Sequence, residues 1–255
     1  MIVSDNPRSF RRVAGLLAVL GCALGSAMAA PAGVLIRVPA GTPPPAELAP
    51  LLARWRQSGQ VAGVLLLAQG KSETAEREPK FAALAVLEFP SGDACDAWET
   101  VAAPSLPAGL IVRRADVLTQ GGNSAREPHQ AVFVVNTYTP TVPPARYNEF
   151  VQGYIKPLYA AMRATGNLAR FTMYLERGET GRVDALSVLE YRDAAAGAAM
   201  GKLKTGIREQ LTATVPSYAE FDKIKDTLRI DGHGTFGTYT ELPAPGAVAS
   251  QMKRD

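Results

Sequence analysis

The sequence predicts an α+β protein built from two tandem β-α-β-β-α-β units packed sheet to sheet. "AALAVLEF" at 82–89 and "DALSVLEY" at 184–191 are identical at five of eight positions, with Phe89 against Tyr191 at the end. The same order of apolar runs, helical stripes and polar breaks surrounds each copy, which favours duplication over a chance match of two strand-like runs. Between the copies, "TQGGNSAREPHQ" at 119–130 is polar and aperiodic, a boundary between units.

The first unit, 30–120, opens with the strand-like run Val34-Leu35-Ile36-Arg37-Val38 and a Pro-rich turn. Leu48, Leu51, Leu52 and Trp55 then recur at helical spacing, with Pro50 harmless in the first turn and Gly59 as a stop. "AGVLLLAQ", the polar loop "GKSETAEREPK" and "FAALAVLEF" read as a hairpin. A short helix near 93–101 and the strand "LIVRRADVL" complete the unit. A linker is assigned to 121–130 and the second unit to 131–245.

That second unit repeats the order. "AVFVVNTYT" is strand-like, and Phe150, Val151, Tyr154, Ile155, Leu158, Tyr159 and Met162 form an apolar helical stripe ended by Gly166. Pro157 should kink this helix. "LARFTMYLE" and "VDALSVLEY" make the next hairpin, and an alanine-rich helix follows near Asp193. Ser217 and Glu220 have capping-box spacing ahead of Phe221, Ile224 and Leu228, so the second unit carries an extra helix before "GTFGTYTEL" closes it. The echoed strands are read as the same edge of two fused units, and 246–255 as a tail.

Composition excludes several classes of function. The formal charge of +3 falls to 24 basic against 23 acidic residues once Asp5, Arg8, Arg11 and Arg12 are set aside. Such a balance gives no electrostatic grip on nucleic acid or on an anionic membrane. Residues 1–29 read as a signal peptide, with a basic stretch to Arg12, an apolar run from Val13 to Leu24 and Ala27-Met28-Ala29 as the cleavage site. The run is too short for a permanent span. The expected location is periplasmic or secreted; the alternative is a lipoprotein anchored through Cys22. Export leaves Cys95 as the sole thiol, unable to form an internal disulfide and read as a buried structural residue.

A β-α-β-β-α-β unit is ferredoxin-like, and two of them cover each other's open sheet faces. The arrangement resembles the dimeric α/β-barrel superfamily, in which two ferredoxin-like units close a barrel. The resemblance covers nearly all of the mature chain and rests on topology and the internal repeat. It implies several kinds of relative: cofactor-free monooxygenases, EthD-like and stress-response proteins, and the haem enzymes chlorite dismutase and dye-decolourising peroxidase. The peroxidase motif G-x-x-D-G has no counterpart here. His129 and His233 are the two histidines, without metal-ligand spacing, so the expectation is no metal and no cofactor.

Candidate site residues come from polar positions in strand-like runs. Alternation puts Arg170, Thr172 and Tyr174 on one face of their strand and Asn136 with Tyr138 on one face of theirs. The plainer reading makes these structural hydrogen bonders or solvent-facing groups; a cavity in the second unit would supply them with ligand or water. The ligand-binding set is Arg170, Thr172, Tyr138 and Tyr239, and the catalytic set His233, Tyr174 and Asn136. His233 in "DGHGTFG" is either an exposed loop residue or a general base. Glu88 and Glu190 hold equivalent places in the twin strands and are read as sheet caps in preference to paired carboxylates.

Two functions remain. One is binding of a small, partly apolar ligand in the second unit. The other is a cofactor-independent monooxygenase or isomerase acting on a small aromatic substrate, and homo-oligomer formation stays open in both.

Overall fold

A computed structural model describes residues 31–70, 81–125, 127, 129–178 and 184–242, without the side chains of 232 and 233. Residues 1–29, expected to be a signal peptide, with Cys22 among them, most of both hairpin loops, the tail and the His233 side chain lie outside the described residues. No helix among the described residues is long and apolar enough to cross a membrane.

The first unit runs β1 (Ala32–Val38), α1 (Leu48–Gln57), β2 (Gly63–Gln69), β3 (Ala83–Phe89), α2 (Gly92–Val101) and β4 (Ile111–Gly122). The second runs β5 (Val132–Pro140), α3 (Pro144–Phe150), a π-turn (Val151–Ile155), α4 (Lys156–Ala164), β6 (Leu168–Glu176) and β7 (Ala185–Tyr191). It ends with α5 (Ala194–Thr214), α6 (Pro216–Leu228) and β8 (Arg229–Tyr239). Eight strands close an antiparallel barrel in the order β1-β3-β2-β8-β5-β7-β6-β4. Each unit contributes one ferredoxin-like sheet, β4-β1-β3-β2 or β8-β5-β7-β6, and the sheets join at β2–β8 and β4–β6.

The twin strands β3 and β7 are therefore interior strands of their sheets, not edges: β3 lies between β1 and β2, and β7 between β5 and β6. Period-two alternation sorts their side chains. Ala83, Ala85, Leu87 and Phe89 pack under the first unit's helices, and Leu189 and Tyr191 under the second's. Leu84, Val86, Leu186 and Val188 fill the lumen. Strands buried on both faces read as continuous apolar runs, which is why both copies look alike in sequence.

The helices begin and end largely where local chemistry dictates. Ser91 and Asp193 accept from the backbone N–H of Ala94 and Ala196, capping α2 and α5. Gly59 and Gly166, at φ of 74° and 77°, stop α1 and α4 in the left-handed region. Pro157 follows directly on the π-turn, in the first turn of α4. Its missing N–H frees the Gly153 carbonyl, which accepts from Ser217 Oγ of α6 at 3.4 Å. That contact corrects the capping-box reading, because Ser217 lies inside α6, which starts at Pro216 with no side-chain cap. β4 runs on through Gly121 and Gly122, the first residues assigned to the linker, because they pair with Phe171 and Arg170 on β6.

Cys95 is fully buried, and desolvation pushes its thiol up to about 11, so it packs as a structural residue.

Candidate functional site at the barrel mouth

A cavity of about 330 Å³ opens at one end of the lumen. Val64, Leu65 and Val86 of the first unit and Phe133 and Val188 of the second form its apolar walls. Its polar groups are Arg56, Glu88, Ser124, Arg170, Thr172, Tyr174, Glu190 and Tyr239. The cavity thus lies between the units rather than within the second, which corrects the expected placement.

Strand register explains the polar ring. Glu88 pairs across β2 with Gly63, and Glu190 pairs across β6 with Arg170, so Gly63 and Arg170 are equivalent positions in the two units. A Cβ on Gly63 would stand 2.6 Å from Glu88 Oε2; the bare glycine leaves that carboxylate its place in the mouth. Arg170 crosses the opening to form an ion pair with Glu88 of the other unit. At the far end of the lumen the donation runs the other way, with Arg37 of the first unit paired to Glu176 of the second. Each unit supplies one arginine and one glutamate to these two crossings.

Glu190 has a different environment. It is only 4 % exposed, and its Oε1 accepts from the Ala125 backbone N–H at 2.5 Å. Burial pushes its carboxyl above the usual carboxylate range, against the lowering influence of the Ala125 N–H, Arg170 and Ser124. Its carboxylate also holds the β4–β5 connection across the mouth. Tyr174, behind Thr172 on the same face of β6, is buried; desolvation and the Glu88 charge both push its phenol upward.

Of the seven residues singled out in the sequence, Arg170, Thr172, Tyr174 and Tyr239 meet at this cavity. Asn136 and Tyr138 lie on the opposite face of the barrel wall. Asn136 donates to Ser187 Oγ at 3.1 Å, and Ser187 also accepts from the buried Tyr159 hydroxyl at 3.1 Å. Tyr138 packs in the second unit's helix-side core beneath the Arg229 guanidinium, 4.0 Å from its ring. Asn136 and Tyr174 therefore do not converge. His233 falls on β8, beside Gly234, which pairs with Asn136. His129 is exposed, edge-on to Tyr239 at 5.6 Å.

Glu88 and Glu190, expected to cap the sheets, are cavity residues, and Arg56 joins them from the end of α1. The available signal was a glutamate at the same point of two otherwise apolar strands. Among the described residues the cavity lining offers neither imidazole nor thiolate, and burial pushes the Tyr174 phenol upward.

No protein-family model and no curated protein matches the chain. Among solved structures it is similar to an anthrone oxidase-like protein, at 12% identity and TM-score 0.47, covering 86% of this chain and 94% of that one. A mutant chlorite dismutase from Candidatus Nitrospira defluvii is similar at 12% identity and TM-score 0.46, covering 83% and 91%. A monooxygenase-like protein from Listeria innocua follows at 13% and 0.42, covering 84% and 96%. At these identities the likeness concerns the fold alone. The strand order of the barrel, with two ferredoxin-like halves in one polypeptide, gives the chain the fold of the dimeric α/β-barrel superfamily.

Proposed function

We propose that the protein binds a small, partly apolar molecule in the barrel mouth, between its two units. The observation that carries this reading is the seating of Glu88, Arg170 and Glu190 around an apolar-walled cavity of about 330 Å³. A carboxyl buried as deeply as Glu190 is unfavourable without a partner charge, so its place in the lumen supports a role beyond packing, and the volume matches the lower range of ligand pockets. An oxygenase or isomerase built on Asn136, Tyr174 and His233 has less support, because Asn136 is engaged behind the wall with Ser187.

The basic and apolar stretches of residues 1–29 support export, with lipid attachment at Cys22 as the alternative. One experiment addresses both proposals. Native mass spectrometry of protein purified from its own host is expected to show a chain beginning at Ala30 and carrying a small-molecule adduct. The variant Val188→Trp, which fills the cavity, should keep the circular dichroism spectrum and lose the adduct. An adduct retained by Val188→Trp, or none in the parent, would count against the binding site. A lipid mass on Cys22 would replace free export. The same spectrum reads the number of copies per assembly.

A further inference from the structure

We propose that the mouth selects a small monocarboxylate with an apolar body, seated on Arg56 and Arg170, and that its binding draws a proton onto Glu190. This rests on the cavity being a ligand site and names the chemistry it takes.

The cavity presents two guanidiniums and two carboxylates. Arg56 has no ion pair among the described residues, and Arg170 pairs with Glu88, whose carboxylate is one-third exposed and can swing outward. A bidentate guanidinium–carboxylate contact is among the strongest polar contacts open to such a ligand. A ligand amine would meet the same two cations as like charges, with Glu88 already engaged by Arg170 and burial favouring the neutral form of Glu190. Below the polar ring, Val64, Leu65, Val86 and Val188 give an apolar body its place.

Glu190 is the obstacle to an anion and also the means of accepting one. It is more than nine-tenths buried and has no ion pair among the described residues; its Oε1 is held by the Ala125 N–H. The titratable and charged groups around it are Arg170 and Tyr174 on β6, Glu88 on β3 across the mouth, Arg56 at the end of α1 and Tyr239 on β8. Its β5 neighbour in register is the uncharged Phe133. A second carboxylate arriving here makes a pair that cannot both ionise cheaply, so one proton is shared between them. Burial already inclines Glu190 toward the protonated form, whereas the Glu88 side chain is one-third exposed to water. The proton comes from solvent. As a neutral acid, Glu190 turns from a repelling charge into a hydrogen-bond donor toward the ligand.

Calorimetry on the full mature chain tests this, with benzoate, benzyl alcohol and benzylamine as probes in buffers of differing ionisation enthalpy. Benzoate is expected to bind best with uptake of about one proton, its affinity falling about tenfold per pH unit above the Glu190 transition. Glu190→Gln should abolish the uptake and flatten the pH dependence, while His129→Gln, altering the imidazole behind Tyr239, should leave both intact. Benzyl alcohol or benzylamine binding in preference to benzoate would overturn the carboxylate and leave the binding site standing. Proton uptake that persists in Glu190→Gln would overturn the role of Glu190. If none of the probes binds, the ligand-site reading falls with the inference.

Discussion

Glu190 imposes a pH-dependent cost on the fold. Its carboxyl is pushed upward by burial, so the native state holds this proton at pH values where the unfolded chain has released it. Stability therefore falls as pH rises through the window between the ordinary glutamate value and the raised one, and stays lowered above it. Glu190→Gln keeps an oxygen for the Ala125 N–H and removes the charge. The variant should melt higher than the parent at neutral pH, with the difference closing as pH falls through that window. Melting temperatures across pH check this, and a constant offset would assign the effect to packing alone. The residue scale is also where sequence reading was least complete. Alternation groups Asn136 with Tyr138 and Thr172 with Tyr174, but it is blind to which face of a strand looks into a barrel. Asn136 belongs to the face under the helices, where Ser187 and Tyr159 satisfy it. Arg56 was illegible for another reason, since it reaches the mouth from a helix that only the closed barrel brings near Glu190.

At the element scale, one helix interruption organises the second unit's outer layer. Pro157 removes an N–H, a π-turn forms ahead of it, and the freed Gly153 carbonyl takes the Ser217 hydroxyl. Gly153 must also be bare, since a Cβ there would lie 2.5 Å from the Phe221 ring. Phe221 in turn stacks edge-on against Phe150 at 5.7 Å, so the glycine sets how closely α6 approaches the core. Gly153→Ala should destabilise the protein by about 1–3 kcal/mol through overpacking, despite alanine's better helix propensity. Urea unfolding measures it, and an unchanged or raised midpoint would show that α6 docks without this close contact. The extra helix, the interrupting proline and the helix stops were all legible as local chemistry. The capping box was not, because Ser217 answers a carbonyl 64 residues away instead of its own helix end.

For the whole molecule, duplication explains both the fold and the site. Five shared positions in β3 and β7 include Leu84 with Leu186, Val86 with Val188 and Glu88 with Glu190, all of which face the lumen. The repeated strand thus spells the lining of one barrel twice, and its last inward residue becomes a pair of glutamates at the mouth. The units then diverge where it matters, with Gly63 in one place and Arg170 in the equivalent one. Closure is uneven too. β4 and β6 share seven register pairs, but β2 and β8 share three, leaving Gly63, Val64 and Leu65 beside the opening. The sequence announced the duplication because both copies must bury both faces of the same strand. It could not announce the mouth, which exists only once two sheets distant in the chain are joined.

Binding in the proposed mouth must be felt first by the methyl groups that line it. Methyl-resolved NMR during titration with benzoate is its most direct test. Shifts confined to Val64, Leu65, Val86 and Val188 are the predicted result. Saturating shifts at Ile155, Leu158 or Leu189 of the outer core, with the lumen methyls unmoved, would contradict it.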